Sequence, residues 1–313
     1  MALAGETMKK IEGIVPVMLT PFTAENQIDY PGLSRLIDWY LAQGVDALFA
    51  VCQSSEMQSL SLDERVALAR FVVEKVQGRV PVIASGHISD ELSEQTQELQ
   101  AMAGTGIDAL VLVTNHLDPH NQGSETFYAH LNHILDALPA GLPLGLYECP
   151  APYRRLLSDD EFSFCANSGR FVVLKDVSCD LPTVQRRVRL AEGTPLAVIN
   201  ANAAIAWPAI QAGSRGFSGV FTNFHPNLYV WLYHQGAQQP EKAHELSLFL
   251  SLSAVTETLG YPKNAKIYHQ RLGTFASEHC RVNRDNVLEK FWGLGVLLDQ
   301  IRDGSALWQH RLS

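Results

Sequence analysis

Short apolar runs recur along the chain at intervals of roughly 20 to 40 residues, at positions 14–19, 47–51, 80–85, 109–113, 144–147, 172–175, 196–200 and 216–220. Each reads as a strand, and the amphipathic stretches between them read as helices. Helix-start signals mark several of these stretches: Ser61 ahead of Leu62-Asp63-Glu64, Ser89 or Asp90 ahead of Glu91, and Ser158 ahead of Asp159-Asp160-Glu161. The order is β-α throughout. Strands that are continuously apolar, rather than alternating, belong in a parallel sheet covered by helices, which leaves a doubly wound sheet or a closed barrel. A count of eight favours the (β/α)8 TIM barrel, and Thr20-Pro21-Phe22 stands where a dinucleotide-binding turn would need glycines. After about Pro226 the strand signal stops, and helical patterns follow at 227–235, 240–259, 264–272 and 283–301. The expected organisation is therefore a catalytic barrel over residues 1–226 and a C-terminal helical extension over residues 227–313.

With 313 residues and 46% hydrophobic content, the chain can bury the large core such a barrel needs. Met1 to Lys10 holds no sustained apolar segment, and no run of about 18 apolar residues is present to span a bilayer, so a cytoplasmic protein without membrane contact is expected. Five cysteines, Cys52, Cys149, Cys165, Cys179 and Cys280, are widely spaced with no CxxC pair, which fits free thiols better than disulfides or zinc. A net charge of −9 disfavours nucleic acid as a partner. The basic run Gln185-Arg186-Arg187-Val188-Arg189 reads as the solvated face of a helix, since no aromatic residues interleave with its charges.

Barrel enzymes build their sites at the C-terminal ends of the strands, so a reactive side chain closing an apolar run is the signal to seek. Val172-Val173-Leu174 ends in Lys175. Burial lowers the pKa of an ammonium and frees a nucleophilic amine, which imine formation with a ketone requires. The same lysine could instead leave the strand into solvent or pair with Asp176. The preceding strand closes with Tyr147, and adjacent strands lie about 4.8 Å apart, within reach of a substrate held on Lys175. A phenol there could pass protons; it could also be a packing residue with its hydroxyl satisfied. The turn Gln53-Ser54-Ser55-Glu56 offers hydroxyls and backbone N–H groups suited to a carboxylate, although Ser-rich turns are also common as plain helix caps.

Together these residues resemble the dihydrodipicolinate synthase / N-acetylneuraminate lyase family of pyruvate-utilising class I aldolases. Gly13-Ile14-Val15-Pro16-Val17 with Thr20-Pro21-Phe22 is similar to the family's opening strand and turn, and Cys52-Gln53-Ser54-Ser55-Glu56 with Leu60-Ser61-Leu62-Asp63-Glu64-Arg65 to its keto-acid carboxylate segment. Tyr147-Glu148-Cys149-Pro150 resembles the motif of the proton-shuttling tyrosine, and Leu174-Lys175-Asp176-Val177-Ser178-Cys179-Asp180 that of the Schiff-base lysine. Gly216-Phe217-Ser218-Gly219-Val220 with Asn223 matches the glycine-containing eighth strand, and Tyr261-Pro262-Lys263-Asn264-Ala265-Lys266 with Gly273 echoes a segment of the C-terminal helices. The resemblance implies Lys175 and Tyr147 as catalytic residues, Ser54 and Ser55 as the carboxylate cradle, no cofactor or metal, and a homotetramer built as a dimer of dimers.

Departures from the pattern bear on the substrate. Gln53 replaces a hydroxyl residue, Cys52 and Ser55 replace glycines, and Glu148 replaces an asparagine. The places of a second, partner-subunit tyrosine and of a mouth arginine hold His116 or Leu117 and Pro152, with Arg154 and Arg155 slightly displaced. These losses argue against the lysine-biosynthetic condensation. Asn200, Asn202 and Val220 likewise differ from what the resemblance implies for an acetylneuraminate lyase. Gln53, Ser54, Ser55, His116, Asn200, Asn202 and Ser218, with His87, are the candidate substrate-binding residues, a polar set suited to a hydroxylated aldehyde. The expected activity is reversible cleavage or condensation of a 2-oxo acid (pyruvate) with an aldehyde, such as that of a 2-keto-3-deoxy sugar acid. The alternatives are a dehydratase of a sugar acid, a dihydrodipicolinate-synthase-like condensing enzyme, a barrel enzyme holding a metal through His116, Asp118 and His120 or through His130 and His133, and a keto-acid-binding protein without turnover.

Overall fold

The computed structural model describes residues 9–313. All eight expected strands form: β1 (Gly13–Ile14), β2 (Leu48–Phe49), β3 (Val82–Ala84), β4 (Ala109–Val113), β5 (Leu144–Tyr147), β6 (Phe171–Asp176), β7 (Ala197–Asn200) and β8 (Gly216–Phe217). They pair in parallel in the order β1-β8-β7-β6-β5-β4-β3-β2. A parallel bridge between Val17 and Phe49 joins the two ends, with the Met18 N–H donating to Phe49 O at 3.0 Å and the Phe49 N–H to Pro16 O at 3.0 Å. The fold is thus a (β/α)8 barrel with C-terminal helices. Where β1 meets β8, Gly216 has φ +148°, and a Cβ there would lie 1.9 Å from Gly13 O, so only glycine allows the two strands to approach. Val15, Ile83, Val111, Leu146, Val173 and Ile199 line the barrel interior beside the stem of Lys175.

Helices α1 (Tyr30–Ala42), α2 (Leu62–Val76), α3 (Leu92–Ala103), α4 (Ser124–Ala137), α5 (Asp159–Asn167), α6 (Leu181–Leu190) and α7 (Ala206–Gln211) follow successive strands. Ser61 and Glu64 form the expected capping box on α2, and Ser158 and Glu161 another on α5. The cap expected from Ser89 or Asp90 does not form: Glu91 occupies the position, and the Ser89 hydroxyl donates to Glu98 Oε1 at 2.7 Å. The basic run on α6 is only partly solvated. Arg186 is exposed, whereas Arg187 is 1% exposed and paired with two carboxylates, as described below.

The expected boundary at residue 226 coincides with the start of α8 (Pro226–Gln235), which packs against β1 and so continues the barrel packing through residue 235. Beyond it come α9 (Pro240–Ala254) with a single 3-10 turn (Val255–Thr258), α10 (Lys263–Arg271), α11 (Val287–Lys290) and α12 (Leu294–Leu312). The single helix expected over 283–301 is two, separated at Gly293, whose φ of +88° breaks the helical path. α9 packs on the turn after β7, and α12 on α8. Glu56, in the loop after β2, anchors this extension to the barrel mouth. Its Oε1 accepts from the N–H groups of Arg281 (2.7 Å) and Val282 (3.0 Å), and its other oxygen from Lys266 Nζ, with the Glu56 and Lys266 side chains both out of solvent. Among the described residues no helix is long and apolar enough to cross a membrane, and all five cysteines are unpaired.

Candidate active site

A cavity of about 890 Å³ opens at the C-terminal ends of the strands, roofed by the helical extension, and both Lys175 and Tyr147 line it. The two are register partners on β6 and β5. Lys175 Nζ lies 4.5 Å from the centroid of the Tyr147 ring and 5.8 Å from that of Phe49, which keeps the amine against aromatic faces. Asp176 does not pair with it. Strand alternation turns Asp176 to the helix side, where Arg187 Nη1 reaches its Oδ2 at 2.6 Å and Ser178 donates to its Oδ1. Among the described residues Lys175 forms no salt bridge. Burial lowers its pKa below the usual lysine range, partly offset by Cys52, Cys149 and Glu257. Tyr147 is moved the other way: burial, reinforced by the Cys149 and Cys52 thiols, holds its phenol pKa well above the ordinary value. The pair therefore consists of an amine that releases its proton readily and a phenol that retains its own.

The strand ends carrying them are held by one arginine. Glu148 and Asp176 directly follow Tyr147 and Lys175 in sequence, and Arg187 from α6 bridges both: Nη1 to Glu148 Oε1 at 2.7 Å and Nη2 to Glu148 Oε2 at 2.6 Å complete the set begun at Asp176. Burial raises the pKa of Glu148, and the guanidinium opposes the rise.

Opposite Lys175, Ser54 projects from the turn after β2. The Tyr261 hydroxyl donates to Ser54 Oγ at 2.6 Å and accepts from Asn223 Nδ2 at 3.1 Å, while the Tyr40 hydroxyl donates to Asn223 Oδ1. Because Ser54 receives this chain as an acceptor, its own proton is free to be offered to an anion in the cavity. Gln53 also lines the cavity and accepts from Cys149 Sγ at 3.4 Å.

The remaining candidates divide. Asn202 lines the cavity. Asn200 does not: its side chain exchanges hydrogen bonds with the Asn202 backbone (2.8 and 2.9 Å) and shapes the loop that presents Asn202. Ser55 is fully buried, donating to Met18 O (2.6 Å) and accepting from the Cys52 N–H (3.1 Å), so its oxygen is spent inside the turn. Ser218 donates to Val15 O at 2.7 Å and borders the barrel interior below the mouth. His116 packs 5.4 Å from His87, 3% exposed and away from the cavity. His87 accepts at Nε2 from the Val113 N–H (2.6 Å) and so donates from Nδ1 to Gln95 (3.1 Å), which fixes its tautomer; burial depresses its pKa to about 3. Asp118, a ligand in the metal alternative, accepts instead from the N–H groups of Gln122 and Gly123 and from Arg155.

Tyr261 and Glu257 in the cavity wall were not among the candidates. Tyr261 lies in a recognisable segment, but only the fold brings it to Ser54; Glu257 carries no sequence signal.

The dihydrodipicolinate synthetase family model matches residues 10–284. A 4-hydroxy-tetrahydrodipicolinate synthase of Bacillus subtilis is 31% identical over 206 residues, covering 65% of this chain and 68% of that protein. Its counterpart in Gluconacetobacter diazotrophicus is 26% identical over 297 residues, covering 91% and 98%. Among solved structures, a dihydrodipicolinate synthase of Bacillus anthracis superposes with a TM-score of 0.82 at 24% identity, covering 93% and 97%. The protein CdNal of Clostridium difficile, solved in complex with mannosamine, reaches 0.82 at 18% identity, covering 95% and 100%.

Proposed function

The chain belongs to the dihydrodipicolinate synthetase family, and from that membership we propose that it is a lysine-dependent aldolase that joins pyruvate, or a similar 2-oxo acid, reversibly to an aldehyde. The observation that carries this reading is the shared cavity: an amine without an ionic partner, its pKa lowered by burial, 4.5 Å from the ring of a phenol whose pKa burial raises.

In the cleavage direction, Lys175 Nζ attacks the C2 carbonyl of the substrate to give a carbinolamine. Tyr147 protonates the departing hydroxyl, water leaves, and an iminium remains. The resulting phenolate takes the proton of the C4 hydroxyl; the C3–C4 bond breaks, its electron pair passes to the iminium as an enamine, and the aldehyde departs. Protonation at C3 and hydrolysis return the keto acid and the free lysine. Ser54 offers its proton to the substrate carboxylate. Gln53 stands where a hydroxyl relay residue would serve the lysine-biosynthetic condensation, which supports an aldehyde partner other than the one used there.

Incubation with pyruvate and borohydride followed by mass measurement tests the proposal. A stable adduct at Lys175 is expected, and none in Lys175→Arg. Failure to trap pyruvate or any other 2-oxo acid would remove the covalent mechanism. A dehydratase would trap equally, and release of an aldehyde from a 2-keto-3-deoxy sugar acid separates the two.

A further inference from the structure

Two charged groups in the cavity wall, Arg154 and Glu257, have no part in the chemistry above. Glu257 lies in the turn Val255–Thr258 after α9, in the extension rather than the barrel. Among the described residues lining the cavity it is the one carboxylate. Most buried acids have a cationic partner: Glu56 has Lys266, Glu98 has Arg65, Asp118 and Glu161 share Arg155, and Glu148 and Asp176 share Arg187, while Asp29 accepts from the Gly32 N–H; Glu257 differs from them in being exposed at the cavity wall. The Glu257 side chain makes no hydrogen bond or salt bridge among the described residues. Desolvation raises its pKa while the charge of Lys175 lowers it, so the two groups sense each other across the cavity. The element that carries it is held at the mouth: α9 packs on the turn Ala203–Ile205, which follows Asn202, while the Ser251 hydroxyl donates to Ser247 O (2.7 Å) within α9. Asn202, Ser251 and Glu257 thus form a polar wall distinct from the Ser54–Tyr261 patch.

Resting on the aldolase reading, we propose that Glu257 is a specificity-determining residue that accepts a hydrogen bond from a hydroxyl of the aldehyde half, selecting neutral polyhydroxylated aldehydes over those ending in a carboxylate or phosphate. An ionised carboxylate can only accept, so a hydroxyl donor fits it, and an anionic tail at the same wall meets like charge. Arg154 also lines the cavity and is exposed, as Glu257 is, but its Nη1 is already engaged with Val177 O (3.0 Å) and Ser178 O (3.3 Å), whereas the Glu257 carboxylate is left for a ligand.

The test is condensation of pyruvate with glyceraldehyde and erythrose, compared with glyoxylate and succinic semialdehyde. The unmodified protein is expected to favour the hydroxylated pair by about tenfold or more in kcat/KM. Glu257→Gln is expected to lose about tenfold on that pair, mostly through KM, while still trapping pyruvate with borohydride. Glu257→Ala should accept the anionic pair better than the unmodified protein does. A preference of the unmodified protein for anionic aldehydes, or an unchanged preference in Glu257→Gln, would overturn the assignment. Absence of trapped pyruvate in the unmodified protein strikes the aldolase reading itself, and this inference falls with it.

Discussion

A lysine that ends an apolar strand can become a surface charge or a reagent, and the residue after it decides which. Here Asp176 is drawn to Arg187 on the helix side, leaving Lys175 without a salt bridge among the described residues. Tyr147→Phe is expected to keep imine trapping but lose turnover by roughly 10²- to 10⁴-fold, as measured by single-turnover cleavage. The pH dependence follows in sign: because the Lys175 pKa is depressed, trapping should stay efficient well below the ordinary lysine range and fall as pH drops through the depressed value. A trapping profile that follows an ordinary lysine would contradict the burial argument. Lys175, Tyr147, Gln53, Ser54 and Asn202 were legible because strand ends and the turns after them face a barrel's mouth. Ser55 and Asn200 sit in those same turns but face inward. Whether a turn residue serves the turn or the ligand depends on side-chain direction, which residue type and position do not encode.

At the scale of elements, alternation and capping announced every strand and most barrel helices, because each signal lies within a few residues of sequence. The arginine cluster was not legible. Arg187 reads as part of a basic helical face until α6 is laid against β5 and β6, where it bridges Glu148 and Asp176 and ties together the strand ends that carry Tyr147 and Lys175. Removing one member of a buried ionic set leaves the others stranded, so Arg187→Met is expected to cost about 3–5 kcal/mol in urea unfolding. Its folded fraction should lose kcat more than it gains in KM, because the phenol and amine lose their alignment. A loss below about 1 kcal/mol would mean that the cluster contributes little beyond what a surface pair does.

Across the whole molecule, burial also sets the response to acid. The pKa values of His87 and His225 are pushed down to about 3 and that of His269 to about 4, each first by desolvation. An unfolded chain takes these protons near pH 6.5, so from there downward it binds more protons than the native state, and stability falls with pH until the depressed values are reached. Asp118 and Glu161, whose pKa values are lowered, add to the loss at the acid end, while Glu148, raised, opposes it. The melting temperature should therefore drop between pH 7 and pH 4.5. His225→Phe should flatten that drop, since His225 Nε2 is buried without a partner and its ring lies among Phe221, Tyr229 and Phe249. An equally steep drop in the variant would assign the acid response to other groups.

The clasp on Glu56 sets an order of events in synthesis. A chain on the ribosome with everything beyond residue 275 still in the exit tunnel already possesses all eight strands, the amine and the phenol. It lacks Arg281 and Val282, whose N–H groups fasten the loop that presents Ser54. The mouth is therefore fastened only after the strands are complete, and a nascent barrel carries Lys175 and Tyr147 before the loop that bears Ser54 is anchored.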